Sequence, residues 1–246
     1  MPKEFHIESE LAKNRFRVAI FGSARVKPED PVYQSVYGLA KNLGGLGIDV
    51  ITGGGPGLME AASLGHTFGD TKNQAHSIGI NISLPFEQKP NSGLEYVDVH
   101  QLFSTRLDEF MLLSDVVVVT PGGIGTCLEL FYTWQLMQVK HIGTMPLILM
   151  GDMWRHLIGW VIDYPLQHNY LNSEDLHPIV LVDNEEQATN VIKKAKERFD
   201  SGLVGGSHNW QQYGKKMKKL ANLIEKTQEA KEKPIKGVPL RADRLL

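Results

Sequence analysis

The chain of 246 residues holds a single cysteine, Cys127, so no intrachain disulfide can form. It also lacks any apolar run near the roughly 20 residues that cross a bilayer. The first stretch, Met1 to Arg17, is polar and has no signal-peptide apolar region. A cytoplasmic location and no membrane partner are expected. The formal net charge is only −2, which gives no global attraction to nucleic acid. The nine histidines show no H-E-x-x-H or paired spacing, so no metal site is expected. There is no internal repeat.

What is present is ordinary globular material. Hydrophobic residues make up 42% of the chain, enough for a core without staples. Short β-branched runs alternate with helical stretches, which predicts a Rossmann-like, doubly wound α/β fold. The sheet is expected to be mostly parallel, with helices on both faces. Strands are expected at Val18–Phe21, Ile48–Ile51, Ser77–Ile82, Tyr96–Val99, Val116–Val119, Leu147–Met150 and Ile179–Val182. Val116–Val119 is apolar throughout, as suits a strand covered on both faces. Helices are expected at Pro31–Leu46, Leu58–Phe68, Phe103–Leu113, Gly123–Val139, Met153–Ile162 and Glu185–Phe199. Composition shifts near Ser201, dividing an expected Rossmann-like domain (1–200) from a C-terminal helix and basic tail (201–246). Gly214 to Leu246 carries ten Lys or Arg against four Asp or Glu, with Met217, Leu220, Leu223 and Ile224 at helical spacing. A helix packing on its own domain or on a second subunit accounts for that pattern better than a membrane or nucleic-acid arm does.

Two glycine-rich turns each join an expected strand to an expected helix: Thr52-Gly53-Gly54-Gly55-Pro56-Gly57-Leu58-Met59 and Thr120-Pro121-Gly122-Gly123-Ile124-Gly125-Thr126. Ligands of open parallel sheets bind at the carboxyl ends of strands, where helix N-termini point. Without Cβ atoms the backbone can approach a ligand and offer it N–H groups, which suits a phosphate. The plainer reading is that both are tight turns. Neither is followed by Gly-Lys-Ser/Thr, so a P-loop is disfavoured. Phe21-Gly22-Ser23-Ala24-Arg25 does not fit G-x-G-x-x-G, so no dinucleotide cofactor is expected.

Pro121-Gly122-Gly123-Ile124-Gly125-Thr126-Cys127-Leu128-Glu129 resembles the P-G-G-x-G-T-x-x-E signature of the LOG-like phosphoribohydrolases, long labelled lysine-decarboxylase-like. Gly53–Met59 resembles that family's other glycine motif, and Phe21-Gly22-Ser23 its first-strand turn. Arg106 stands where the family places its catalytic arginine. The resemblance spans roughly residues 16 to 195. It implies cleavage of the N-glycosidic bond of a nucleoside 5′-monophosphate, of the AMP or cytokinin riboside type, to free base and ribose 5-phosphate. It implies catalytic roles for Arg106 and Glu129. The substrate would lie against Ser23, Gly54, Gly55, Met59, Gly122, Gly123, Gly125 and Thr126. It also implies a homodimer or higher homo-oligomer. Leu107 replaces the family's usual lysine, and Leu128 one of its two acids, which bears on substrate preference.

Several alternatives stand beside these roles. Thr126-x-x-Glu129 is also a capping box, though the flanking Leu128, Leu130 and Phe131 suggest a buried surrounding in which Glu129 needs a partner. Geometry offers Arg106: a helix over Phe103–Leu113 runs roughly 16 Å, and the following strand returns about 17–20 Å. Ser23 reads equally as a turn serine, and Met59 as core. Phe131, Trp134, Leu136 and Met137 give Gly123–Val139 more apolar surface than one sheet face requires, which suggests a subunit interface. A non-enzymatic carrier is the main alternative function, since molybdenum-cofactor carriers share the T-P-G-G-x-G-T turn. Decarboxylation is disfavoured, because no Schiff-base lysine lies near the motifs.

Overall fold

A computed structural model describes residues 2–202 apart from 12 and 85–88. Eight parallel strands form one sheet in the order β1-β5-β4-β3-β2-β6-β7-β8. They are β1 (Lys3–Glu4), β2 (Arg17–Phe21), β3 (Asp49–Thr52), β4 (Ser77–Ile82), β5 (Tyr96–His100), β6 (Val116–Val119), β7 (Leu147–Met150) and β8 (Ile179–Val182). The helices are α1 (Ile7–Leu11), α2 (Pro31–Gly45), α3 (Leu58–Gly69), α4 (Phe103–Leu113), α5 (Ile124–Gln138), α6 (Met153–Val161) and α7 (Glu185–Asp200). The elements expected up to Phe199 are all present, with ends displaced by a residue or so. The expected C-terminal helix and basic tail lie outside the described residues.

The central strands β2, β3, β4 and β6 are buried along their whole length. Two apolar layers cover them. Phe21, Ile51, Phe110, Leu130 and Trp134 belong to the layer under α4 and α5. Val18, Ile20, Leu39, Leu43 and Leu58 belong to the layer under α2 and α3. Local chemistry sets two helix starts. Asp30 caps α2 by accepting from Val32 N, with Pro31 in the first turn, and Asn184 caps α7 by accepting from Gln187 N.

The polar N-terminal stretch contributes an element that composition did not suggest. β1 extends the sheet beside β5, pairing Lys3 with Tyr96. Buried charges fasten the segment that follows. Arg17 Nη2 donates to Glu10 Oε2 at 3.3 Å, and Arg15 Nε to Asp49 Oδ2 at 2.6 Å. Among the described residues no helix is long and apolar enough to cross a membrane.

The chain path reverses at the centre of the sheet. From β2 it steps outward through β3 and β4 to β5. It then returns to place β6 on the other side of β2, Phe21 beside Val119. A crevice opens at such a reversal, outside the carboxyl ends of the two strands. The turns after β2, β3 and β6 all end there.

Candidate active site

Three backbone turns are tied together at this point. Thr120 N and Thr120 Oγ1 both donate to Phe21 O, each at 2.8 Å. Ser23 N donates to Pro121 O at 3.1 Å, and Leu58 N to Ser23 O at 2.9 Å. Thus the turn after β2 holds the start of α3 on one side and the turn before α5 on the other. The Ser23 hydroxyl oxygen accepts from Arg25 N at 3.1 Å, a local serine turn that leaves the hydroxyl proton unassigned.

The turn after β3 is braced from within and from a distant loop. Gly54 N donates to Thr52 Oγ1 at 3.1 Å. Asn91 N donates to Gly54 O and Asn91 Nδ2 to Gly55 O, both at 2.9 Å. Asn91 is buried. Sequence reasoning missed it, because nothing in Lys-Pro-Asn-Ser-Gly separates a clamp from an ordinary loop asparagine.

Glycine is demanded at two positions by what passes over them. A Cβ on Gly53 would stand 2.4 Å from Arg106 Nη2 and 2.7 Å from Met59 Sδ. A Cβ on Gly122 would stand 2.1 Å from Thr126 Oγ1. The first close approach brings Gly53, Met59 and Arg106 together. The second shows Thr126 folded back onto its own turn. Gly123 and Gly125 behave differently: among the described residues nothing lies within 4 Å of a Cβ on either, at the head of α5.

Neither α3 nor α5 has a side-chain cap at its N-terminus, and α5 has no acidic residue in its first turn. The alternative reading of Thr126-x-x-Glu129 as a capping box is not the arrangement adopted. The N-cap is Gly123, so Thr126 lies inside the helix and Glu129 a turn further on. Glu129 reaches Arg106 instead, accepting from Nη1 at 3.2 Å. Arg106 Nε donates to Ile80 O at 2.8 Å, and the guanidinium lies over the Phe110 ring at 5.0 Å. Arg106 is thereby fixed to β4, stacked on its own helix and paired across to α5.

The pair is desolvated, with side-chain exposures of 9% for Arg106 and 11% for Glu129. Burial pushes the Glu129 carboxyl up from 4.5 to about 7, against the opposing pull of Arg106. Burial also lowers the Arg106 guanidinium, with Glu129 resisting. The buried surrounding and the Arg106 partner expected for Glu129 are both found, although its apolar neighbours are not all buried. Leu130 is buried, but Leu128 and Phe131 are exposed.

Residues 59–192 match the family described as "Possible lysine decarboxylase". The chain belongs to this LOG-like family. A pyrimidine/purine nucleotide 5′-monophosphate nucleosidase of Escherichia coli (strain K12) is 24% identical over 204 residues. That match takes in 78% of this chain and 44% of the relative, so the LOG-like chain spans less than half the relative's length. Among solved structures, the molybdenum cofactor binding protein of Rippkaea orientalis superposes with a TM-score of 0.54 at 20% identity, over 73% of this chain and 96% of that one. The molybdenum cofactor carrier protein of Chlamydomonas reinhardtii gives 0.53 at 17% identity, over 74% and 99%. The shared feature is the Rossmann-like fold.

Proposed function

We propose that this LOG-like chain hydrolyses the N-glycosidic bond of a nucleoside 5′-monophosphate, yielding the free base and ribose 5-phosphate. The observation that carries the proposal is the desolvated Arg106–Glu129 pair beside two uncapped helix N-termini. A binding module needs a cradle for its anion. A water-excluded carboxylate that titrates near 7 beside an arginine is the equipment of proton transfer.

The phosphate is assigned to the open side of Gly123 and Gly125 and to the N–H groups heading α5. Gly54, Gly55 and Met59 then face the ribose, with the Ser23 hydroxyl free to donate to the same anion. As the glycosidic bond breaks, its electron pair leaves with the base and positive charge builds on C1′ and the ring oxygen. Ionised Glu129 stabilises that charge and takes a proton from the attacking water, whose oxygen bonds C1′. The proton then passes to the departed base. Arg106 orients the carboxylate and limits how far burial raises it. No cofactor enters this scheme. AMP or a cytokinin-type riboside monophosphate is the proposed substrate class, and a homodimer the proposed assembly.

The relatives bear on this reading in two directions. The similarity to a nucleotide nucleosidase supports hydrolysis, and the fold shared with molybdenum cofactor carriers keeps a carrier role as the second reading. Incubation with a panel of nucleoside monophosphates, followed by chromatography for free base and ribose 5-phosphate, separates them. Stoichiometric binding without product would favour the carrier.

A further inference from the structure

A second cluster stands at the carboxyl end of β5. Asp98 and His100 are two apart on this strand and so share a face. Glu109 comes to them from α4. His100 Nε2 lies 2.8 Å from Glu109 Oε2 and 3.6 Å from Asp98 Oδ2. One ligand atom from each residue falls within 4.8 Å of the others.

Proton accounting makes this more than an acidic cluster. The Thr105 hydroxyl lies 3.0 Å from Leu102 O, which can only accept, and 2.9 Å from His100 Nδ1. A hydroxyl has one proton. Both contacts are hydrogen bonds only if Thr105 donates to Leu102 and accepts from Nδ1–H. A neutral His100 therefore carries its lone pair on Nε2, aimed at the two carboxylates. In addition, Glu109 Oε1 is buried and has no hydrogen-bond partner among the described residues, in a side chain only 6% exposed. Nε2 and one oxygen of each carboxylate converge; a proton shared on the Nε2–Glu109 Oε2 contact can hold them together, and a cation can take its place.

We propose that Asp98, His100 and Glu109 form a divalent transition-metal site, with Nε2 and one oxygen of each carboxylate as ligands and water completing the shell. A mixed imidazole and carboxylate set suits zinc, manganese, iron or cobalt better than magnesium or calcium. Zinc–ligand bonds of about 2.0–2.2 Å at tetrahedral angles hold ligand atoms about 3.3–3.5 Å apart. Asp98 stands close to that separation, 3.6 Å from Nε2. Glu109 Oε2 has to withdraw by about half an ångström, a small side-chain adjustment. The His100–Thr105 bond is the outer contact that metal-bound histidines use to fix their tautomer. Asp98, a third exposed, gives the ion its entrance. An ion here pins the end of β5 to α4 three residues beyond Arg106. No metal spacing is visible in the sequence because the third ligand arrives from the next element.

The test uses the full chain stripped with chelator and titrated with Zn²⁺ by calorimetry. A parallel titration with Co²⁺ follows its visible bands. One equivalent is expected, with a rise in melting temperature. Asp98→Asn, His100→Gln and Glu109→Gln should each weaken binding roughly tenfold or more. Asp98→Asn lies nearest the surface and keeps the test usable if Glu109→Gln fails to fold. Absence of saturable one-equivalent binding would overturn the site. So would unchanged affinity in Asp98→Asn and His100→Gln, leaving an imidazolium between two carboxylates.

Discussion

Glu129→Gln should stabilise the fold at alkaline pH while removing turnover. The carboxyl is raised from 4.5 to about 7 because burial penalises its charge. Below 4.5 the group is neutral whether the chain is folded or not. Between 4.5 and 7 the unfolded chain ionises first, so stability falls as pH rises. Above about 7 both states are ionised and the penalty is constant. At 1.36 kcal/mol per pKa unit, the full penalty is about 3 kcal/mol. Glutamine cannot ionise, yet its carbonyl can still accept from Arg106. The stability gained by the variant over wild type should therefore grow by about 2–3 kcal/mol between pH 5 and pH 9. For a domain of this size that is roughly 5–10 °C in melting temperature. Urea denaturation of both proteins at pH 5, 7 and 9 measures it, and free-base release measures turnover. Turnover should fall about 10²–10⁴-fold. A stability difference flat in pH would refute the desolvation argument. Near wild-type turnover in a folded variant would refute the catalytic assignment.

Wild-type turnover should rise with pH through about 7, as Glu129 ionises, and a flat profile over pH 6–8 would count against it as the base. Arg106→Gln should move that acid limb to higher pH, because it removes the charge that holds the carboxyl down. Gly53→Ala forces a Cβ to 2.4 Å from Arg106 Nη2, and should cost about 1–3 kcal/mol in denaturant titration along with most turnover. Gly123→Ala meets nothing within 4 Å and should melt as wild type does, yet raise KM for the nucleotide about tenfold by obstructing the phosphate. AMP should exceed adenosine in kcat/KM by at least about a hundredfold, since two charge-assisted bonds to the phosphate supply that much; equal rates would reduce both glycine turns to plain turns.

The apolar surface of α5 was only partly legible. Trp134 and Met137 are buried in the chain's own core, and Leu136 packs against it. The surface left exposed is Ile124, Leu128 and Phe131. Helical spacing marks which residues are apolar, whereas the rest of the chain decides which of them are already covered, as where Trp134 Nε1 donates to Asp175 O at 2.7 Å. These three define the face on which Leu128→Glu should shift a dimer toward monomer in light scattering.

Alternation of β-branched runs with helical stretches specified the elements to within a residue or so, because that pattern acts over neighbouring residues. The glycine motifs likewise announced two turns and a crevice before any strand order was known. What the sequence could not decide was which groups share that crevice and how dry it is. Asn91 clamps Gly54 and Gly55 from 36 residues away in the case of its side-chain bond to Gly55. Arg106 reaches Glu129 across 23 residues. Leu128 and Phe131, apolar neighbours of Glu129 in sequence, are exposed while the Glu129 side chain is only 11% exposed. Desolvation and proximity between distant groups depend on the path of the whole chain. The return of β6 to the side of β2 is the step that makes an ordinary helical glutamate into a carboxyl titrating near 7.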